Sequence, residues 1–174
     1  MRLTNVLLGL AIAASASFAA EYKIAPERGN LTFTIEHRLL GTVPGSFGSF
    51  GGEAVTDGDK IVSLSGTIAV ASISTDNAKR DAHLKNADFF DEPKHNVIVF
   101  KSSESKEGEI TGHLVMHGVV KPVTFSVKRG KVSGSAQDAY TLEGVVKRSD
   151  FNLGDTTSNN IQIADEVKVK FVFR

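Results

Sequence analysis

Glu166-Val167-Lys168-Val169-Lys170-Phe171-Val172-Phe173, close to the C-terminus, decides the fold class. Val167, Val169, Phe171 and Phe173 share one parity and Lys168 and Lys170 the other, so a strand here has an oily face and a wet face. The same period of two runs back through the chain. Tyr140, Leu142 and Val146 share a parity, as do Val123, Phe125 and Val127, and likewise Ile110, Leu114 and Met116. Leu64, Ile68 and Val70 alternate with Ser63, Ser65, Thr67 and Ala69, and Leu31, Phe33 and Ile35 alternate with Thr32, Thr34 and Glu36. Residues 21–25, 43–55 and 96–104 add further strands, and turns such as Asp57-Gly58-Asp59 divide them. One wet face per strand predicts an all-β, antiparallel protein. Two architectures bury the other face: a two-sheet sandwich, or a barrel of about eight strands whose interior is filled or holds one small ligand.

Composition narrows the function classes. The 174 residues carry 20 basic and 20 acidic side chains, so there is no basic surplus for phosphate neutralisation and no nucleic-acid partner is expected. No cysteine is present, which excludes thiolate metal sites, disulfide chemistry and a lipidated cysteine anchor. Eleven phenylalanines against two tyrosines and no tryptophan point to an unusually oily interior.

The first nineteen residues read as a secretory signal. Arg2 supplies the positive end, Val6 to Ala14 the apolar stretch, and Ser17-Phe18-Ala19 the small residues before cleavage. The apolar stretch is well short of the ~20 residues a membrane span needs. Residues 20–174 then form one domain with no integral membrane span.

One interval breaks the strand pattern. Asp76 and Asn77 are capping candidates ahead of Ala78-Lys79-Arg80-Asp81-Ala82-His83-Leu84, which predicts a short helix within 75–86. Asp88-Phe89-Phe90-Asp91 follows, and its two phenylalanines should plug an apolar opening or pack under the helix. The glycine-rich Gly45 to Gly52 marks a bend or bulge, since no lysine-serine ending makes it a phosphate cradle.

Chemical motifs are scarce. On a strand, His113 and His117 would stand about 13 Å apart, too far to share a metal, and both fall opposite the apolar parity. His83 and His95 are expected at the surface, and no cofactor or catalytic residue is assigned. His37 continues the inward parity of Leu31, Phe33 and Ile35. Arg148 continues that of Tyr140, Leu142 and Val146. Either both point inward or their strands end first and leave them at a wet rim.

Several stretches together resemble the YceI-like polyisoprenoid-binding family. They are Tyr22-Lys23-Ile24, Phe33-Thr34-Ile35-Glu36-His37, Gly45-Ser46-Phe47, and the central block of Arg80-Asp81, His83-Leu84, Asp88-Phe89-Phe90-Asp91 and Phe100-Lys101-Ser102. Gly112-His113-Leu114, Gly118 to Val123 and Arg148-Ser149-Asp150-Phe151 continue in the family's order. His95-Asn96 departs from it, standing where the family usually carries tyrosine-proline. The resemblance implies an eight-stranded antiparallel, lipocalin-like β-barrel with one short helix, exported to the periplasm and, as family members often are, a candidate homodimer. It implies a lipid carrier rather than an enzyme, holding a polyisoprenoid, an isoprenoid quinone or a fatty-acid-like amphiphile. The expected lipid-binding residues are Phe33, Ile35, His37, Phe47, Leu84, Phe89, Phe90, Phe100, Leu114, Met116, Phe125, Leu142, Arg148 and Phe171. Arg80 and Asp81 are expected, as a structural pair, to hold the helix down. Two other readings stay open: an enzyme acting on such a lipid through His37, and a filled barrel that binds other proteins.

Overall fold

The computed structural model describes residues 19–131, 137–154 and 162–174. The leader therefore lies, but for Ala19, outside the described residues. Among the described residues eleven strands form one antiparallel sheet. In chain order they are β1 (Ala20–Ile24), β2 (Gly29–His37), β3 (Gly41–Phe47), β4 (Phe50–Asp57), β5 (Lys60–Ala69) and β6 (Ile73–Ser74), then β7 (Val97–Lys106), β8 (Glu109–Met116), β9 (Val119–Lys131), β10 (Asp138–Lys147) and β11 (Ile163–Phe173). The helix α1 (Ala78–Leu84) lies between β6 and β7. Their order across the sheet is β1-β4-β5-β7-β8-β9-β10-β11-β2-β3-β6. The all-β antiparallel expectation holds, with one helix, as a curled sheet or half-barrel.

The expected count of about eight strands is too low: nine segments show the strand pattern, and two further strands arise for local reasons. Residues 43–55 do not form one strand but break at Gly48-Ser49 into β3 and β4. β3 pairs with β2 and β6, while β4 pairs with β1 and β5, so this link carries the chain between the two ends of the strand order. The Gly48 N–H donates to the Ser72 carbonyl at 3.1 Å, and the Ala69 N–H to the Ser49 carbonyl at 2.9 Å. The other omission, β6, has two residues and is too short to show any period.

The parity reading places the core correctly. Val167, Val169 and Phe171 on β11 face a cavity, Phe173 is buried, and Lys168 and Lys170 face water. Around Tyr140 and Phe173 the interior is solid. Their rings stack at 5.3 Å, Tyr22 meets both edge-on, and the Tyr140 hydroxyl donates to the Gly58 carbonyl at 2.6 Å. A second packed group contains Val70, Ile98, Val146, Phe151 and Leu153.

Asn77 caps α1, its side-chain oxygen accepting the Arg80 N–H at 3.0 Å. Arg80 and Asp81 do hold the segment down, but not through each other, because adjacent residues on a helix do not face one another. Both grip the buried Thr75. Arg80 donates from Nε to the Thr75 hydroxyl and from Nη2 to its carbonyl, each at 2.7 Å, and the Asp81 carboxylate accepts the Thr75 N–H at 2.8 Å.

Candidate ligand cavity

A cavity of about 650 Å³ opens beyond the solid end of the sheet. All fourteen side chains singled out from the sequence line it. Phe33, Ile35 and His37 come from β2, Phe47 from β3, Phe100 from β7, Leu114 and Met116 from β8, Phe125 from β9, Leu142 from β10 and Phe171 from β11. Leu84 reaches it from α1, Phe89 and Phe90 from the segment after α1, and Arg148 from just beyond β10. The half-buried state of Phe33, Phe47, Phe100, Phe125 and Phe171 thus reflects exposure to this space. The two phenylalanines after α1 serve as wall: Phe90 meets Phe47 at 6.2 Å and Phe89 meets His83 at 5.1 Å, both edge-on.

The lining also includes residues not singled out. Leu31, Leu64, Ile68, Val146, Val167 and Val169 belong to parity sets already visible in the sequence, so the signal was present. Phe50, Thr75 and Leu153 were not legible in that way, because Phe50 follows a strand break, Leu153 a turn and Thr75 a strand of only two residues.

Register makes the cavity amphipathic from end to end. Along β10 and β11, Tyr140 pairs with Phe173 at the solid end and Lys147 with Glu166 at the other. On β2, His37 pairs with Ile163 at that second end. Arg148 joins it there, since its Nη2 donates to the Ile163 carbonyl at 3.3 Å. Both polar residues with inward parity therefore line the cavity at the same end. Gly154, in the left-handed region at φ +73, lets Phe89 and Arg148 approach together. A Cβ there would lie 2.8 Å from the Phe89 ring and 2.9 Å from Arg148 Nη1.

Arg148 is buried and spends three donors on backbone carbonyls. Besides Ile163, Nε donates to Ala164 at 3.0 Å and Nη1 to Leu153 at 2.8 Å. Burial pulls its pKa below the ordinary value and the nearby Asp165 carboxylate opposes that, yet a guanidinium stays charged. Among the described residues no carboxylate is in ion-pair contact with it. Asp165 is occupied elsewhere, its carboxylate accepting the Ser149 N–H at 2.8 Å and hydroxyl at 2.7 Å. The cavity wall thus holds a fixed positive charge, which favours a polar or anionic group at this end.

His37 lies at the hairpin between β2 and β3. Its Nδ1 accepts the N–H groups of Leu39 at 3.2 Å and Leu40 at 3.3 Å, and Nε2 makes no hydrogen bond among the described residues. A general base of the triad type has its Nδ1–H held by a carboxylate. No such partner serves His37 among the described residues. Leu39 and Leu40 are 74% and 64% exposed, and Leu40 also lines the cavity, so the hairpin puts apolar surface at the mouth.

Residues 22–174 match the YceI-like domain, and the chain is 35% identical over 167 residues to Protein YceI of Escherichia coli O157:H7, covering 84% of this chain and 86% of that one. The chain belongs to the YceI-like family. Among solved structures, BcnA of Burkholderia cenocepacia shares the fold at a TM-score of 0.71 with 24% identity, covering 83% of this chain and 94% of that one. A Saccharophagus degradans domain described as polyisoprenoid-binding and implicated in plant cell wall breakdown superimposes with a TM-score of 0.65. It is 17% identical and the match covers 89% of this chain and 97% of that one, so the likeness is one of fold. In this YceI-like chain, no helix among the described residues is long and apolar enough to cross a membrane.

Proposed function

We propose that this protein is a periplasmic carrier that holds one long apolar chain, a polyisoprenoid, isoprenoid quinone or fatty-acid-like amphiphile, inside the curled sheet. The observation that carries the reading is the cavity itself: apolar walls, a solid inner end, and His37 and Arg148 together at the other end. The Saccharophagus degradans domain, described as polyisoprenoid-binding and built on the same fold, supports it. The leader read from Arg2 to Ala19 supports export. The fourteen lining residues are the binding residues in this account, with phenylalanine and leucine contacting the tail and Arg148 the head group. A carrier is favoured over an enzyme because among the described residues no carboxylate orients His37.

Burying a methylene contributes about 0.8 kcal/mol, or roughly fourfold in affinity, so eight supply about 6 kcal/mol before association costs. Displacement of a fluorescent prenyl probe by fatty acids or prenyl alcohols of rising length tests this. Affinity should rise by roughly fourfold per methylene until the cavity is full and then level off. A series with no length dependence would sink the proposal.

A further inference from the structure

Outside the cavity, three side chains with metal-ligating atoms converge from two distant parts of the chain. Phe90 and Met116 line the cavity, and the residue after each of them, Asp91 and His117, turns away from it to meet His95. One carboxylate oxygen of Asp91 and one ring nitrogen each of His95 and His117 lie within 4.8 Å of one another. The two rings sit edge-to-face with centroids 4.9 Å apart.

Local structure explains the convergence. Asp91 adopts φ 45 and its carbonyl accepts the N–H groups of Lys94 at 2.9 Å and His95 at 2.8 Å, so a single tight turn sets His95 beside Asp91. His117 is not the exposed strand residue that its spacing from His113 suggests. It occupies the two-residue turn between β8 and β9 with Gly118, at φ 51 and φ 75, which re-aims its ring. Gly118 makes room for the neighbour, since a Cβ there would stand 2.9 Å from His95 Cε1.

The donors are prepared for an ion. His117 Nδ1 lies 3.0 Å from the Phe151 carbonyl, an acceptor only, so Nδ1 carries the hydrogen and Nε2 keeps a free lone pair. That is the outer-shell bond metal-binding histidines make. The Asp91 side chain is 13% exposed and its carboxyl is held below the ordinary value, first by the hydrogen bond from Lys94 at 2.8 Å. Lys94 is 72% exposed and can swing into water if an ion replaces it. Four-coordinate zinc, with ligand distances of about 2.1 Å, needs donors about 3.4 Å apart, so side-chain shifts of about 1 Å complete the site.

We propose that Asp91, His95 and His117 bind one divalent late first-row transition metal of the zinc class, fastening the segment that carries Phe89 and Phe90 to the β8–β9 turn. Two imidazoles and one carboxylate suit such an ion better than magnesium or calcium, and leave a fourth position for water. His95 stands where the family resemblance carries tyrosine, so the site belongs to this chain's own sequence. It does not depend on the cavity binding lipid.

The test uses chelator-treated full-length mature protein titrated with zinc chloride by calorimetry, and with cobalt(II) as an optical probe. One zinc per chain is expected, together with the visible bands of four-coordinate cobalt and a melting temperature about 8 °C higher at a hundredfold excess over the dissociation constant. His95→Tyr, His117→Ala and Asp91→Asn should each weaken zinc by about a hundredfold or more, whereas His113→Ala should stay within about twofold. Should His117→Ala fail to fold, His95→Tyr carries the same comparison. Absence of stoichiometric binding, or zinc binding that survives His95→Tyr, would overturn the proposal.

Discussion

Leu114→Lys is expected to abolish uptake of a fluorescent prenyl or fatty-acyl probe. Leu114 is 7% exposed, sits on β8 against the cavity and belongs to the second packed group of the core. An ammonium placed there has no carboxylate partner among the described lining residues nearby on β7, β8 or β9. Desolvating it costs about 4 kcal/mol, or roughly a thousandfold in affinity. Leu114→Met keeps volume and polarity and should retain binding within a few fold. His113→Lys, one residue along, points to water beside Lys101 and should cost only a few tenths of a kcal/mol in charge repulsion, with uptake unchanged. Normal uptake by a folded Leu114→Lys protein would show that the cavity is not the site.

Arg148→Ala should lower stability by about 3 kcal/mol, because three carbonyls lose a charged donor in a buried setting. For a chain of this size that corresponds to a melting temperature about 9 °C lower. Arg148→Lys should recover little, since one ammonium cannot reproduce a planar fork spanning the carbonyls of Leu153, Ile163 and Ala164. From the sequence, Arg148 is expected only as one of the lipid-binding residues. The structure gives it a second task, tying residue 153 to residues 163–164, and the measurable consequence is loss of stability in the absence of any ligand. A shift under about 2 °C in thermal unfolding would contradict that tie.

What the sequence made legible follows from what repeats locally. Alternation along β8, β10 and β11 is imposed by the pleat, so Leu114, Leu142 and Phe171 could be placed on the inner face without knowing which strands pair. The glycine-rich tract was readable as a bend but not as a crossing. Phe47 and Phe50 have opposite parity yet both line the cavity, because the break at Gly48-Ser49 resets the phase. Arg80 and Asp81 looked like a mutual pair, and only the three-dimensional fold shows both reaching back to Thr75. The meeting of His95 with His117 was hidden for a similar reason. It depends on three positive-φ residues, Asp91, His117 and Gly118, and on a contact between distant segments, and neither leaves a periodic trace.

The central claim is that the cavity carries a lipid, and the most direct measurement is organic extraction of protein purified without detergent, followed by mass spectrometry. The account predicts about one prenyl- or long-acyl-chain amphiphile per protein chain, lost in a folded Leu114→Lys variant and retained in His113→Lys. An extract without any apolar chain, from protein that also fails to take up added prenyl or fatty-acyl probe, would contradict it.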